Sequence, residues 1–498
     1  MLLFRFPLLE PNFIYIQGRL NNICQRLFVV FTVLGPSACF QAGDEPTGPQ
    51  SPEVLYFKDF RVIPMTSTSP VVLDETSVLV RKGMIVAVGP SASIELPKDA
   101  MVIEGNGRTL MPGLIDMHVH VWDEAELSAY LANGVTTVRN AAGMPFHLEF
   151  QKKIVSGALV GPRLVTTGPI LNSPGPNAQV NHQMVEGAEQ AREAVRMQHE
   201  QGYRRLKIYS NLTRESYEAI LEEASSLNMT IMGHTPEGVR EPGIPHTKPF
   251  NISFLEVIDD GFVTIEHMES IVWHGLADAL DDAKVRVLAK SIANAGVVVD
   301  PTLLSHRNLT EVARSNGEFL NRKGVETLNP FISETEQESF QFWSSQPADK
   351  HQDLDHFYSR AVKIFHEEGV TLVAGTDAGI FTNLPGRSLV RELGFYVDAG
   401  LTPYEALETS TLNAASALGM KDQVGQVKQG FVADFIVLEG NPVEDIQHLQ
   451  DLSGVIANGR WFDERGIQGL RADAANTSYE RTRERVLSGL SAQGSEFQ

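Results

Sequence analysis

Cysteine is almost absent: Cys24 and Cys39 are the only two in 498 residues, and both precede the region with globular texture. The folded part therefore has no disulfide and no thiolate ligand, so any metal it holds is bound through nitrogen and oxygen. Positive charge is short as well, with 41 Lys and Arg against 62 Asp and Glu and a formal net charge of −21. That balance argues against nucleic acid or anionic lipid as the main partner, although it says little about a site. Long apolar runs are also missing. The run Leu27-Phe28-Val29-Val30-Phe31-Thr32-Val33-Leu34 is too short for a stable membrane span but has the length of a signal core. Arg19 and Arg26 flank it and Gly35, Ser37 and Ala38 follow, so residues 1–42 are expected to be a leader that exports the protein to the periplasm or beyond. Ser37-Ala38-Cys39 resembles a lipoprotein cleavage site, which makes Cys39 a candidate for lipidation, but Pro36 stands where a branched apolar residue is usual. Residues 43–52, with three prolines and two acids, read as a linker.

What is present is an ordinary globular composition, 42% apolar and 21% charged, in a chain long enough for one large domain and a smaller companion. Strand-like pieces fill the first part: Val54–Phe57, Ser77–Val80, Met84–Gly89 and Met101–Ile103, separated by turns such as Lys82-Gly83. The same texture returns at Asp434–Leu438 and Gly454–Gly459. Residues 53–111 and 405–466 are therefore expected to build one small antiparallel β-sandwich domain from both flanks. Between them, short apolar strands alternate with helical stretches. The strands are Leu114–His120, Thr136–Asn140, Arg163–Gly168, Leu206–Ser210, Thr230–Thr235, Thr264–Glu269, Val297–Thr302 and Thr371–Asp377, with amphipathic stretches such as Ala188–Gly202 and Ser216–Asn228. Eight such alternations in residues 112–404 predict an α/β fold, a (β/α)8 TIM barrel. Thr402-Pro403-Tyr404-Glu405 predicts a helix start with a capping box. Residues 236–263 and 303–357 are too long for plain connections and follow strand ends, so they are expected to overhang the active face as lids or walls. Residues 467–498 read as a polar tail, loose or marginally helical.

The candidate chemistry sits at strand ends. Leu110–His120 reads as one apolar strand closing in His118-Val119-His120, and alternation points both rings the same way, able to grip one metal ion. Lys207 lies in Leu206-Lys207-Ile208-Tyr209, His234 ends Ile231-Met232-Gly233-His234, His267 falls in Thr264-Ile265-Glu266-His267, and Asp377 ends Val373-Ala374-Gly375-Thr376-Asp377. Singly, each has an ordinary reading: a surface lysine, a core histidine, a helix cap. Together they all fall near the C-terminal rim of the expected barrel, where barrel enzymes keep their catalytic groups.

These motifs, with Pro112–His120, Gly134–Arg139, Asn413-Ala414-Ala415 and Ala433–Val437, resemble the amidohydrolase superfamily over roughly residues 52–465. Within it the chain is similar to the imidazolonepropionase-like branch that includes Xaa-Pro-type dipeptidases. The resemblance implies a binuclear centre of two zinc ions, with His118, His120 and Asp377 on the first and His234 and His267 on the second. Lys207, carboxylated by carbon dioxide to a carbamate, would bridge them. It further implies a hydroxide held between ions about 3.5–4 Å apart that attacks an amide carbonyl. Asp377 would shuttle its proton to the departing nitrogen, and Tyr209, two residues beyond Lys207, would steady the oxyanion or a substrate carboxylate. Arg139 is a candidate anchor for a substrate carboxylate, with a structural ion pair as its alternative, and His182 a candidate contributor from the third loop. Substrates implied are dipeptides, Xaa-Pro-like, or N-acyl amino acids. The alternatives are a cyclic amide of imidazolone type, whose enzymes generally lack the bridging lysine, and a catalytically inactive scaffold, which would normally have lost ligands. Asn140 where an acid is frequent, the long Glu237–Gly261 loop and the unaligned segment around His182 depart from the family where substrate is recognised. A homo-oligomer is left open.

Overall fold

Gly113 divides the apolar run Leu110–His120 into two strands that serve different sheets. A Cβ at this position would lie 2.2 Å from Thr136 Oγ1, so only glycine lets the chain cross there. The single strand expected over 110–120 is thus corrected to Thr109–Pro112 and Leu114–Val119. The structure is a computed structural model that describes residues 53–238, 250–349 and 351–494. The expected leader, linker and lipidated Cys39 lie outside the described residues. Among those described, no helix is long and apolar enough to cross a membrane.

Thr109–Pro112 belongs to an eight-stranded sheet drawn from both flanks. Val54–Val62, Leu73–Arg81, Met84–Pro90 and Met101–Glu104 precede it, and Phe435–Leu438, Leu452–Ala457 and Arg460–Phe462 return to it. The halves join where Leu110 pairs with Val437. The sheet is mixed and not wholly antiparallel as expected: Val54–Val62 runs parallel to Met101–Glu104 and to Thr109–Pro112, because the chain crosses over between them. Its core is aromatic and β-branched, as a pleated half-buried surface favours. Phe57 meets Phe435 and Trp461 edge-on at 5.0 and 5.2 Å, beside Val62, Val437 and Ile456.

The middle of the chain is α/β. Leu114–Val119, Val135–Asn140 and Arg163–Thr166 form a three-stranded parallel sheet. Arg205–Ile208, Thr230–Gly233, Thr264–Glu266 and Val298–Asp300 lie in that order in a six-stranded parallel sheet, with Ile170–Asn172 and His182–Met184 at its edge. Seven of the eight expected strands are therefore present as ladders. The eighth, Thr371–Asp377, makes only single bridges, Leu372 to Val299 and Ala378 to Val119. The segment leaves the extended region only at its end, with Asp377 at φ 56°, and a Cβ at Gly375 would fall 2.2 Å from Asp300 Oδ2. It is held instead by Met117 N donating to Ala374 O at 2.9 Å and Thr376 Oγ1 donating to Asp116 Oδ2 at 2.7 Å. On the other side, Gly168 N donates to Arg205 O at 2.9 Å, linking the two parallel sheets.

Helices Ala188–Gln201 and Arg214–Ser226 follow their periodicity, the second capped by Thr213. Thr402 and Glu405 make the expected capping box on Pro403–Thr409. The long segment after Thr302 is mostly helical, with Leu303–Arg314, Pro330–Thr335 and Gln337–Ser344 leading into Gln352–Glu367. Of the two readings of the tail, the helical one holds. Glu464–Ala474 and Tyr479–Ala492 are helices, and the second is clamped by Arg481 Nη2 on the buried Asp123 at 2.7 Å and Arg485 Nη2 on Glu124 at 2.7 Å. Its polar residues find partners some 360 positions away, which composition cannot reveal.

Candidate active site

Strand alternation carries His118 inward, and His120 follows it just past the strand's end. Their Nε2 atoms lie 3.3 and 3.0 Å from one atom, Asp377 Oδ1. Lys207 Nζ stands 2.8 Å from the same His118 Nε2. All four side chains are buried. A line of rings continues from there: His118 to His267 at 4.7 Å, His267 to His234 at 4.4 Å, His234 to Tyr209 at 4.0 Å and Tyr209 to His182 at 4.6 Å between centroids. The structure thus gathers the six expected ligands and Tyr209 into one cluster, with His182 at its margin. There His182 Nδ1 accepts from Asn172 Nδ2 at 3.1 Å, and burial holds the imidazole down to about 3.

Three of the histidines have Nδ1 held by an oxygen. Glu266 Oε2 takes His118 Nδ1–H at 2.7 Å, Thr302 Oγ1 meets His267 Nδ1 at 2.7 Å, and Ser270 Oγ meets His234 Nδ1 at 3.1 Å. Since a carboxylate only accepts, His118 must donate from Nδ1, which leaves an Nε2 lone pair facing Lys207 and Asp377. An imidazole lone pair and a carboxylate oxygen 3.3 Å apart can share a cation. A tetrahedral ion with bonds of about 2.0–2.1 Å separates its ligands by about 3.3 Å. His118, His120 and Asp377 fit that spacing, and among the described residues their donor atoms form one of two buried groups of metal-competent spacing.

Electrostatics agree with this donor set. Burial lowers His118 to about 3 and His267 to about 4, so both are neutral imidazoles at pH 7. Burial alone would raise the Asp377 carboxyl, but His118, His267 and His120 outweigh it and hold the group well below the usual carboxylate range. Lys207 is lowered by burial to about 8. Strain accompanies the cluster. His267, Thr302 and Asp377 all sit in the left-handed region, at φ 71°, 43° and 56°, a conformation that a β-branched threonine rarely adopts.

Arg139 takes its structural alternative and not the carboxylate-anchor role. It is 1% exposed, and its guanidinium donates to Met117 O at 2.5 Å, Thr264 Oγ1 at 2.7 Å and Glu266 Oε1 at 2.9 Å. With its fork committed beneath the cluster it is an internal counter-charge, not a substrate anchor. The sequence reading missed its partners. Glu266 and Asp300 form, with His118, the second buried group of metal-competent spacing. Burial would raise Glu266, but Arg139 and His118 hold it low; burial and the Glu266 charge then push Asp300 well above its usual range. Asp300 carried a signal, because Val297-Val298-Val299-Asp300 ends an apolar strand in a carboxylate much as the Asp377 segment does. Thr302, Ser270 and Ser305, whose Oγ donates to Asp377 Oδ2 at 3.2 Å, carried none.

Comparisons with known proteins point the same way. The family model described as "Amidohydrolase family" matches residues 109–462. Ochratoxinase of Aspergillus niger is 26% identical over 435 residues, covering 74% of this chain and 78% of its own. Among solved structures, bottromycin amidohydrolase superimposes with a TM-score of 0.68 at 23% identity, covering 86% of this chain and 92% of that one. A Xaa-Pro dipeptidase with bound methionine in the active site gives 0.62 at 20% identity, covering 82% and 100%. The two structural likenesses are of fold.

Proposed function

Since the chain belongs to the amidohydrolase family and is therefore a hydrolase, we propose that it cleaves amide bonds of dipeptides, Xaa-Pro-like, or of N-acyl amino acids, using two zinc ions. The observation that carries this reading is the convergence of His118 Nε2, His120 Nε2 and Asp377 Oδ1, with Lys207 Nζ 2.8 Å from His118. His118, His120 and Asp377 would hold the first ion and His234 and His267 the second, with Lys207 between them as a carbamate. Only the neutral amine reacts with carbon dioxide, and burial that lowers Lys207 to about 8 supplies a neutral fraction near pH 7. The ions, when bound, supply Lewis acidity, polarising a carbonyl and lowering the pKa of water from 15.7 to about 7.

The remaining work falls to side chains. Asp377, held ionised, takes a proton from the attacking water and delivers it to the departing amide nitrogen, which leaves as an amine. Ser305 orients the carboxylate through Oδ2. Tyr209 faces the cluster beside His234 and donates to the oxyanion or to a substrate carboxylate. The same reading takes the two parallel sheets and residues 371–378 as one (β/α)8 barrel, with residues 53–111 and 405–466 as a smaller β domain. The bridges at Leu372 and Ala378 and the Gly168–Arg205 bond support that closure. The buried Lys207 favours amide hydrolysis of this kind over the imidazolone alternative.

The test is to express the protein with zinc and bicarbonate and screen it against dipeptide and N-acyl amino acid libraries. Turnover of a subset, lost with the second metal in Lys207→Ala, is the expected result. Full metal occupancy without turnover of any amide would overturn the substrate reading. Unchanged metal content and activity in Lys207→Ala would overturn the binuclear one.

A further inference from the structure

A cavity lined by cations, outside the cluster just described, has no role in that chemistry. It measures about 220 Å³ and lies between the turn after helix Leu303–Arg314 and the start of helix Arg387–Ala399. Arg322, Lys323, Arg387 and Arg391 line it, with Phe319 and Leu384 as its apolar wall. Four cations meet here in a chain whose net charge is −21.

Among the described residues, none of the three arginines forms an ion pair with a carboxylate. Arg322 donates to Phe319 O at 3.0 Å and to Thr382 O, Arg387 to Lys323 O at 3.2 Å, and Arg391 to Asn308 Oδ1 at 2.8 Å. Each guanidinium carries five N–H donors, so these bonds leave most of them for a ligand. The Phe319 ring fixes two of the planes, with Arg322 at 3.9 Å and Arg391 at 5.4 Å from its centroid. Burial and the charges of Arg391 and Arg387 push the Arg322 guanidinium down to about 10. The nearby acids act on these cations at longer range: Glu326 feels Arg387 and Lys323, and Arg391 feels Glu311 and Glu392, but their direct bonds go elsewhere. Glu311 pairs with Arg314, Glu326 takes the Gly324 N–H, and Glu392 takes those of Leu303 and Leu304.

A half-buried group of mutually repelling, pre-oriented forks is stabilised by a compact anion with several oxygens. We propose that this cavity binds a small dianionic oxyanion, a phosphate group or a dicarboxylate. The site also reaches toward the catalytic loop. Asn308, held by Arg391, donates to Asn383 Oδ1 at 2.6 Å, and Asn383 Nδ2 donates to Thr376 O at 2.8 Å, one residue before Asp377. A bound anion that fixes Arg391 therefore steadies the segment carrying Asp377. The proposal stands apart from the amidase reading, since none of its residues touches the histidine cluster.

Calorimetric titration of the metal-loaded protein with inorganic phosphate and, separately, succinate tests it, at ionic strength held constant with sodium chloride. One saturable site per chain is expected, weakened at least tenfold in Arg387→Gln and further in the Lys323→Gln/Arg387→Gln pair, with a phosphate-dependent rise in Tm lost in parallel. The ratio of phosphate to succinate affinity separates the two sources of the anion. Arg387 is exposed and bonds only a loop carbonyl, so an unchanged Tm of Arg387→Gln in phosphate-free buffer confirms an intact fold. Binding that Arg387→Gln leaves untouched belongs to the metal centre and overturns the proposal, as does the absence of saturable binding above chloride.

Discussion

Three histidines of the cluster are oriented by groups that never enter the reaction, and their importance can be measured. Thr302 is the sharpest case, because a strained β-branched residue is kept where its hydroxyl meets His267 Nδ1 at 2.7 Å. Thr302→Val preserves shape and removes the hydroxyl. Outer-sphere partners of this kind typically contribute about 10–100-fold in metal affinity or activity. A metal titration of the variant is expected to show such a loss with little change in fold. His147 makes a different prediction. Its Nδ1 accepts from Met144 N at 2.9 Å and its Nε2 donates to Val121 O at 2.6 Å, so the buried ring is built to be neutral. Burial lowers it from 6.5 to about 4. The unfolded chain therefore takes up the proton first, and its contribution, on the order of 3 kcal/mol at full value, is lost as pH falls from 6.5 through 4. Urea midpoints at pH 7, 5.5 and 4.5 are expected to fall more steeply in the parent than in His147→Gln. At this scale the sequence was most legible where a polar residue closes or interrupts an apolar run. His118, His120, Lys207, His234, His267 and Asp377 announce themselves by position, whereas Thr302, Ser270 and Ser305 look like any hydroxyl.

Elements were legible where local chemistry dictates them. The Thr402–Glu405 capping box and the amphipathic Ala188–Gln201 helix need no distant partner to be recognised. Thr371–Asp377 is present as an apolar segment bonded to the strands on both sides, through Val373 N to Val299 O and Met117 N to Ala374 O, but it forms isolated bridges and not a continuous ladder. The C-terminal helices were legible only as one of two readings, since their stabilising contacts are remote. Asp123 is fully buried and accepts from Arg481, Ser478 N and Ala125 N, and Asn329 ties Thr482 to Glu126. The loop that this helix holds begins at Trp122, whose ring stacks on His120 at 6.2 Å. Arg481→Ala leaves a buried carboxylate short of its cation and is expected to cost about 1–3 kcal/mol. Thermal unfolding would show it. A fall in zinc affinity without any change in Lys207 would show that the latch also steadies His120.

At the scale of the whole molecule, Gly113 is the joint between the sheet drawn from both flanks and the parallel sheets bearing the site. On one side Thr109–Pro112 pairs with Phe435–Leu438; on the other, Ile115 N donates to Ser410 O at 2.8 Å, three residues before His118. A Cβ at position 113 would approach Thr136 Oγ1, Cγ2 and Cβ at 2.2, 2.3 and 2.8 Å, too close for any rotamer of threonine to relieve completely. Gly113→Ala must therefore push apart the strand bearing His118 and the strand bearing Arg139. Overpacking of this kind costs about 1–3 kcal/mol. Because the shift is delivered to the strand that positions His118 and His120, zinc affinity should fall along with the denaturation midpoint. Thr136→Ala in the same chain removes the two nearest atoms and leaves only the 2.8 Å contact, so it is expected to recover part of both losses. Recovery of stability without recovery of zinc binding would mean that the joint holds the two sheets together but does not aim the ligands.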